Sequence, residues 1–168
     1  MKTMAQVGSV STSVLAEILR SDQGLAASLA QLQLPEPLEL ASITAGQILS
    51  QNVANELAER GSGIKYPLVY VYCERIRNLQ TEKFRRFSGK AHMVMEVRVS
   101  QDRLENLEQS LQAYVDALTN VLDRSRGEWS VGMCYGGGYE VAFGGIKHGG
   151  KNYLQVAKVT LELDVSLS

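Results

Sequence analysis

The chain has 168 residues, with 17 Lys and Arg against 18 Asp and Glu and a net charge of −1. That is the length of one domain, or one domain with an appendage, and it buries enough surface to need no staples. The near-neutral charge excludes a global field that would gather nucleic acid or an acidic membrane; two cysteines exclude a disulfide framework; no apolar run approaches a membrane span.

Residues 1–10 read as frayed, and the opening MKTMAQVGSVSTS lacks the apolar core of a signal peptide. The expectation is a chain made and used in the reducing cytosol, or assembled there into something larger. Val14, Leu15, Ile18 and Leu19 mark one face of a helix beginning near Ser13, and Leu25, Leu29 and Leu32 mark a second. Leu34-Pro35-Glu36-Pro37 stops it, because proline lacks a donor and restricts the residue before it. Thr44 with Gln47 fits a capping box. Ile48, Val53 and Leu57 then predict a helix over 44–60, closed by Gly61.

Tyr66 to Cys73 is rich in β-branched and aromatic residues on both parities, which predicts a central strand covered on each side. Residues 74–90 hold six cations, with Phe84 and Phe87 interleaved, and read as a long basic arm or hairpin joining two adjacent strands. His92 to Ser100 alternates: Met93, Met95, Val97 and Val99 oppose Glu96 and Arg98. Asp102 with Glu105 caps a predicted long helix, 102–123, whose apolar stripe covers a sheet face. Gly132 to Gly150 holds 8 of the 15 glycines around a short strand, Tyr139 to Phe143. Val156 to Ser168 alternates cleanly and closes the chain as a strand.

The expected fold is α+β: an antiparallel or mixed sheet of about four strands under helix 102–123. The N-terminal helices would cover the other face or an edge. The expected division is an N-terminal helical segment, 1–43, and an α/β domain, 44–168.

Few residues suggest chemistry. Gly145-Ile-Lys-His-Gly-Gly-Lys-Asn152 is one residue from a phosphate-binding loop, but Asn152 replaces the hydroxyl that holds magnesium and opens a strand where the loop must open a helix. His92, His148, Cys73 and Cys134 match no compact metal spacing. Glu162 and Asp164 share one strand face, which alternation alone explains. No nucleophile elbow is present. The expectation is a protein that is not an enzyme, with no cofactor and no metal.

The basic arm is the strongest functional signal. It suits an acidic protein surface, or nucleic acid through phosphates and stacked bases; a solvated hairpin with both phenylalanines folded back is the plain alternative.

Across residues 44–168 the order of elements resembles the tail-terminator (tail-completion) proteins of long-tailed bacteriophages. The segments that carry the resemblance are Thr44–Arg60 leading into Tyr66-Pro-Leu-Val-Tyr-Val71, Met93–Ser100, Asp102–Asp123, the glycine-rich stretch and Val156–Leu167. The resemblance implies a homohexameric ring that caps the tail tube, stops its growth and presents a surface for head–tail joining. It implies a place in the virion tail or neck, reached by assembly in the host cytoplasm. The implied partners are other copies of the chain, the tube protein and neck or connector proteins, with DNA passing through the ring and no membrane. Arg75, Arg77, Lys83, Phe84, Arg85, Arg86, Phe87 and Lys90 would contact a neighbouring subunit or the tube, with Tyr135, Tyr139 and Lys147 as further interface residues. A neck or head-completion connector of the same fold, or a nucleic-acid-binding module using 74–90, fits the same pattern.

Overall fold

A computed structural model describes residues 6–35, 38–54 and 64–168. In chain order these form α1 (Val7–Arg20), α2 (Leu25–Ala30), a 3-10 turn (Ala45–Gln47), β1 (Ile48–Leu49), β2 (Leu68–Asn78), β3 (Phe87–Gln101) and α3 (Leu107–Asp123). The rest is strand: β4 (Gly127–Ser130), β5 (Met133–Tyr135), β6 (Glu140–Phe143), β7 (Lys147–Gly149) and β8 (Asn152–Leu167). The class is mixed α+β. The strands form one sheet in the order β1-β2-β3-β8-β5-β4, with β6 and β7 also paired to β8. All pairs are antiparallel except β1 with β2.

Two long strands make the spine. β3 and β8 pair along the whole of β3, from Phe87 opposite Leu167 to Gln101 opposite Tyr153. Period two sorts their side chains. Met93, Met95, Val97 and Val99 of β3 and Ala157, Val159, Leu161, Leu163 and Val165 of β8 line the inner face, joined by Val69 and Val71 of β2. Leu107, Leu111, Tyr114, Leu118 and Leu122 of α3 pack against them, with Leu15, Leu19, Leu25 and Leu29 of α1 and α2. The N-terminal helices therefore share the inner face with α3 and do not cover the opposite one. Ser28 Oγ fixes α2 to α3 by donating to the Ala117 carbonyl at 2.6 Å. No helix of the described residues is long and apolar enough to cross a membrane.

Several expectations need correction. The sheet has eight strands, not about four: β1 and β4 add to its two ends, and the glycine-rich stretch folds into β5, β6 and β7 and is not one strand between loops. Gly132 turns β4 into β5 at φ 78°, where any Cβ would strike the Ser166 carbonyl. Residues 7–10, expected to be frayed, are helical, since α1 begins at Val7 and not near Ser13; residues 1–5 lie outside the described residues. Thr44 and Gln47 do meet: the Thr44 N–H donates to Gln47 Oε1 at 2.9 Å. The capping box closes only a single 3-10 turn, however, because Gln47 Nε2 also donates to the Pro67 carbonyl and pulls the chain beside β2 as a strand. The rest of the predicted helix 44–60, from residue 55, and Gly61 lie outside the described residues. Helix 102–123 starts instead at Leu107: Gln101 Nε2 donates to the Arg103 and Glu105 carbonyls and holds 102–106 as a turn, with Asn106 left-handed at its end. Asp102 and Glu105 do not cap the helix.

Candidate functional site

Of the arm or hairpin expected over 74–90, the structure forms the hairpin. β2 runs on to Asn78 and β3 begins at Phe87, so residues 74–90 are the far half of a β-hairpin with a short tip. Side chains bind that tip together. Asn78 Oδ1 accepts from the Ser88 N–H at 3.1 Å, and Asn78 Nδ2 donates to the Arg86 carbonyl at 3.2 Å. Ser88 Oγ accepts from the Glu82 N–H at 3.0 Å, and Ser166 Oγ donates to Glu82 Oε2 at 2.9 Å. Gly89 is required beside it, because a Cβ there would strike the Arg77 carbonyl.

The two phenylalanines part company at this tip. Phe87 is buried in the core beneath β3 and β8, so it is a core residue and not an interface residue of the subunit. Phe84 is fully exposed, on a left-handed backbone with φ 65° that turns its ring away from the body. Around it, Arg85 pairs with Glu82 at 3.2 Å and Arg86 donates to the Ser168 carbonyl at 2.8 Å. Lys83, Arg75 and Arg77 make no ion pair with a described residue.

A bulge at Glu74 shifts the register after Cys73, so Arg75 opposes His92 and Arg77 opposes Lys90. All four side chains stand on the outer face, away from the helices. Lys90 is held by Asp164 at 2.9 Å and Glu162 at 3.5 Å, and His92 Nδ1 lies 3.3 Å from Glu162. The hydrogen bond to Asp164 and its charge raise the Lys90 pKa. This end of the outer face is an open, charged groove of about 550 Å³, completed by Tyr139 and Glu140 of β6. Glu162 and Asp164 thus serve as counter-ions to Lys90.

The other end of the same face is closed. Glu96, at 6 % exposure, accepts from the Tyr72 hydroxyl at 2.6 Å and pairs with Arg98 Nη2 at 2.6 Å and Lys158 Nζ at 3.6 Å. Arg98, 2 % exposed, also donates to the Val53 carbonyl at 2.6 Å and lies over the Tyr70 ring at 4.3 Å. Burial opposes ionisation of Glu96, but the hydrogen bonds from Tyr72 and Arg98 and the nearby cations outweigh it and hold the carboxyl below its ordinary range. Burial and the Glu96 carboxylate push the Tyr72 hydroxyl up. This network was absent from the sequence reading, which placed Glu96 and Arg98 on a face merely opposite the core. The available signal was Tyr70 and Tyr72 on the preceding strand, since diagonal cross-strand neighbours reach one another.

The remaining predicted residues scatter. Tyr135 is buried against Trp129, with ring centres 5.1 Å apart, and is unavailable as an interface residue. Tyr139, just before β6, and Lys147, on β7, are exposed. The near-phosphate loop is the β7–β8 turn, with Gly149 opposite Asn152, and opens a strand. His148 packs on Tyr153, and Cys134 is exposed. No group of His, Cys, Asp and Glu suited to a metal occurs among the described residues. No model of a known protein family matches this sequence, and no curated protein matches it either.

Proposed function

We propose that this chain is a structural assembly protein of a phage tail or neck, a ring-forming tail terminator that caps the tube and offers the head-joining surface. One observation carries the reading. The hairpin tip is fixed by four side-chain hydrogen bonds, yet it displays a wholly exposed aromatic ring among cations. An ordered tip loses little freedom on docking, and aromatic and cationic side chains are favoured interface anchors. β2, β3, α3 and β8 follow one another in the order on which the resemblance rests, whereas the helix that it includes from Thr44 is absent over residues 48–54. The hexameric state, the tube and neck partners and the virion location belong to this proposal.

The test is native mass by light scattering across concentration, with negative-stain images, for the wild type and for Lys83→Glu/Phe84→Ala. Rings in the wild type that the variant fails to form, or a variant ring that no longer joins tubes, agree with the reading. A variant that forms rings and joins tubes like the wild type overturns it.

A nucleic-acid-binding role has its own observation: Arg75, Arg77 and Lys83 of the hairpin that carries Phe84 form no ion pair among the described residues. It predicts DNA binding that weakens steeply with salt; absence of binding at low salt eliminates it.

A further inference from the structure

Beside β2, a lane of the sheet is nearly empty. β1 pairs with β2 only at Val69 and Tyr70, and no other described strand pairs on that side. Among the described residues the free edge runs from Val71 to Asn78, about 25 Å at about 3.3 Å per residue. An open groove of about 600 Å³ follows it, walled by Gly8, Thr12 and Ser13 of α1 and ending at Gln51 and Asn52, where β1 leaves. An uncovered edge of this length is a template for a further strand.

β6 bounds the sheet on the opposite side. Residues Ala157–Thr160 of β8 pair with β3 on one edge and with β6 on the other. The far edge of β6 meets no described strand. We propose that β6 of a second copy of this chain adds to the free edge of β2, so that one sheet continues from subunit to subunit. The inference rests on the ring reading above and names the contact that closes the ring. Such a contact joins two different surfaces, and head-to-tail contacts close into rings when the rotation allows.

Charge selects β6 as the occupant. Arg75 and Arg77 stand on the outer face of β2 and Glu140 on the outer face of β6, and none of the three forms an ion pair among the described residues. β2 against a second β2 would set these arginines against each other, and like charges opposed across strands destabilise the pair. Exposed apolar side chains match as well: Ile76 on β2 and Leu79 just after it, Phe143 on β6 and Tyr139 just before it.

The experiment uses the full chain with Cys73→Ser and Cys134→Ser. Arg77→Cys and Ala142→Cys are added singly and together, and a short bis-maleimide is applied. A ladder of multimers in the double variant, absent from each single variant, is the expected result. In the natural background, Arg75→Glu/Arg77→Glu abolishes association and adding Glu140→Arg restores it. Rings in micrographs with no ladder overturn this contact and leave the ring reading standing. Dimers from Arg77→Cys alone overturn it in favour of a symmetric β2 pair. No species beyond the single subunit at any concentration overturns both.

Discussion

The outer face of the sheet has two ends built from the same three strands and similar residues. At one end Glu96 and Arg98 form an ion pair shut away from water with Tyr70 and Tyr72, which Lys158 meets from the solvent side with 56 % of its side chain exposed. At the other, Glu162, Asp164, Lys90 and His92 form an ion cluster open to water. Alternation along β3 and β8 is the same through both. The difference lies in what passes over them: Val53 reaches across the closed end and accepts from Arg98, while Lys90 keeps 39 % of its side chain exposed. A charged residue on the polar parity of a strand is therefore not a solvated residue by pattern alone. The cost of losing it differs severalfold between the two ends.

The largest effect should come from Glu96→Ala, which leaves Arg98 buried without its counter-charge. Breaking one side of a buried pair costs about 3–5 kcal/mol, measured by urea unfolding. Replacing both, Glu96→Leu with Arg98→Met, should cost far less if the pair is purely structural, since a packed apolar pair substitutes well. A double variant as unstable as the single one would show that the cluster does more than fill space. The pH dependence follows from the lowered Glu96 pKa. Its stabilisation is complete above the unfolded carboxyl value of about 4.3 and is lost as pH falls through the lower folded value. Glu96→Gln should remove that share of the acid transition.

Next is the pair of phenylalanines three residues apart. Phe87→Ala opens a cavity in the core and should cost about 3–5 kcal/mol. Phe84→Ala removes a ring that is fully exposed on the single subunit, whose own stability should change by no more than about 0.5 kcal/mol. Equal thermal shifts for the two would break the division between core and display that the hairpin draws.

That division also measures what was legible in the sequence. Periodicity located β3, β8, α3 and the inner face, because a side-chain period of two or 3.6 is set locally. The hairpin was visible as a basic stretch, yet nothing in Phe84-Arg85-Arg86-Phe87 says which ring goes in. The left-handed turn at Phe84 and the register opposite Leu167 decide it. The Thr44–Gln47 box was read correctly as a pair and wrongly as a long helix, because a tertiary bond to the Pro67 carbonyl redirected the chain. Short strands among glycines carry too few side chains to show a period. Buried ion clusters stay hidden until strand register is known.

Two buried tyrosines give a finer contrast. Both hydroxyls are pushed up to about 12, mainly by burial, but Tyr114 donates to the Ala41 carbonyl at 2.7 Å while Tyr135 finds no described partner. Tyr114→Phe should cost about 1 kcal/mol, and Tyr135→Phe should be neutral or slightly stabilising, since it removes an unsatisfied buried group. Both raised values favour the neutral hydroxyl in the fold. That stabilisation is complete below about pH 10 and is lost as pH rises toward the folded value. The double Phe variant should therefore resist alkaline unfolding better than the wild type.

The smallest effect belongs to the open end. Lys90 bridges Asp164 and Glu162 in water, where long side chains lose rotamer freedom and salt screens the attraction. Lys90→Met should cost about 0–1 kcal/mol, and that cost should shrink as sodium chloride is raised. Because Asp164 holds the Lys90 pKa above its ordinary value, its contribution is present below about pH 10.4 and fades as pH rises through the folded value. The Glu96→Ala cost should barely respond to the same salt series, since its charges are screened by protein and not by ions. A cost for Lys90→Met that matches Glu96→Ala in size and in salt independence would erase the distinction between the two ends. It would place the groove beside β6 among the buried parts of the fold, with another surface covering it.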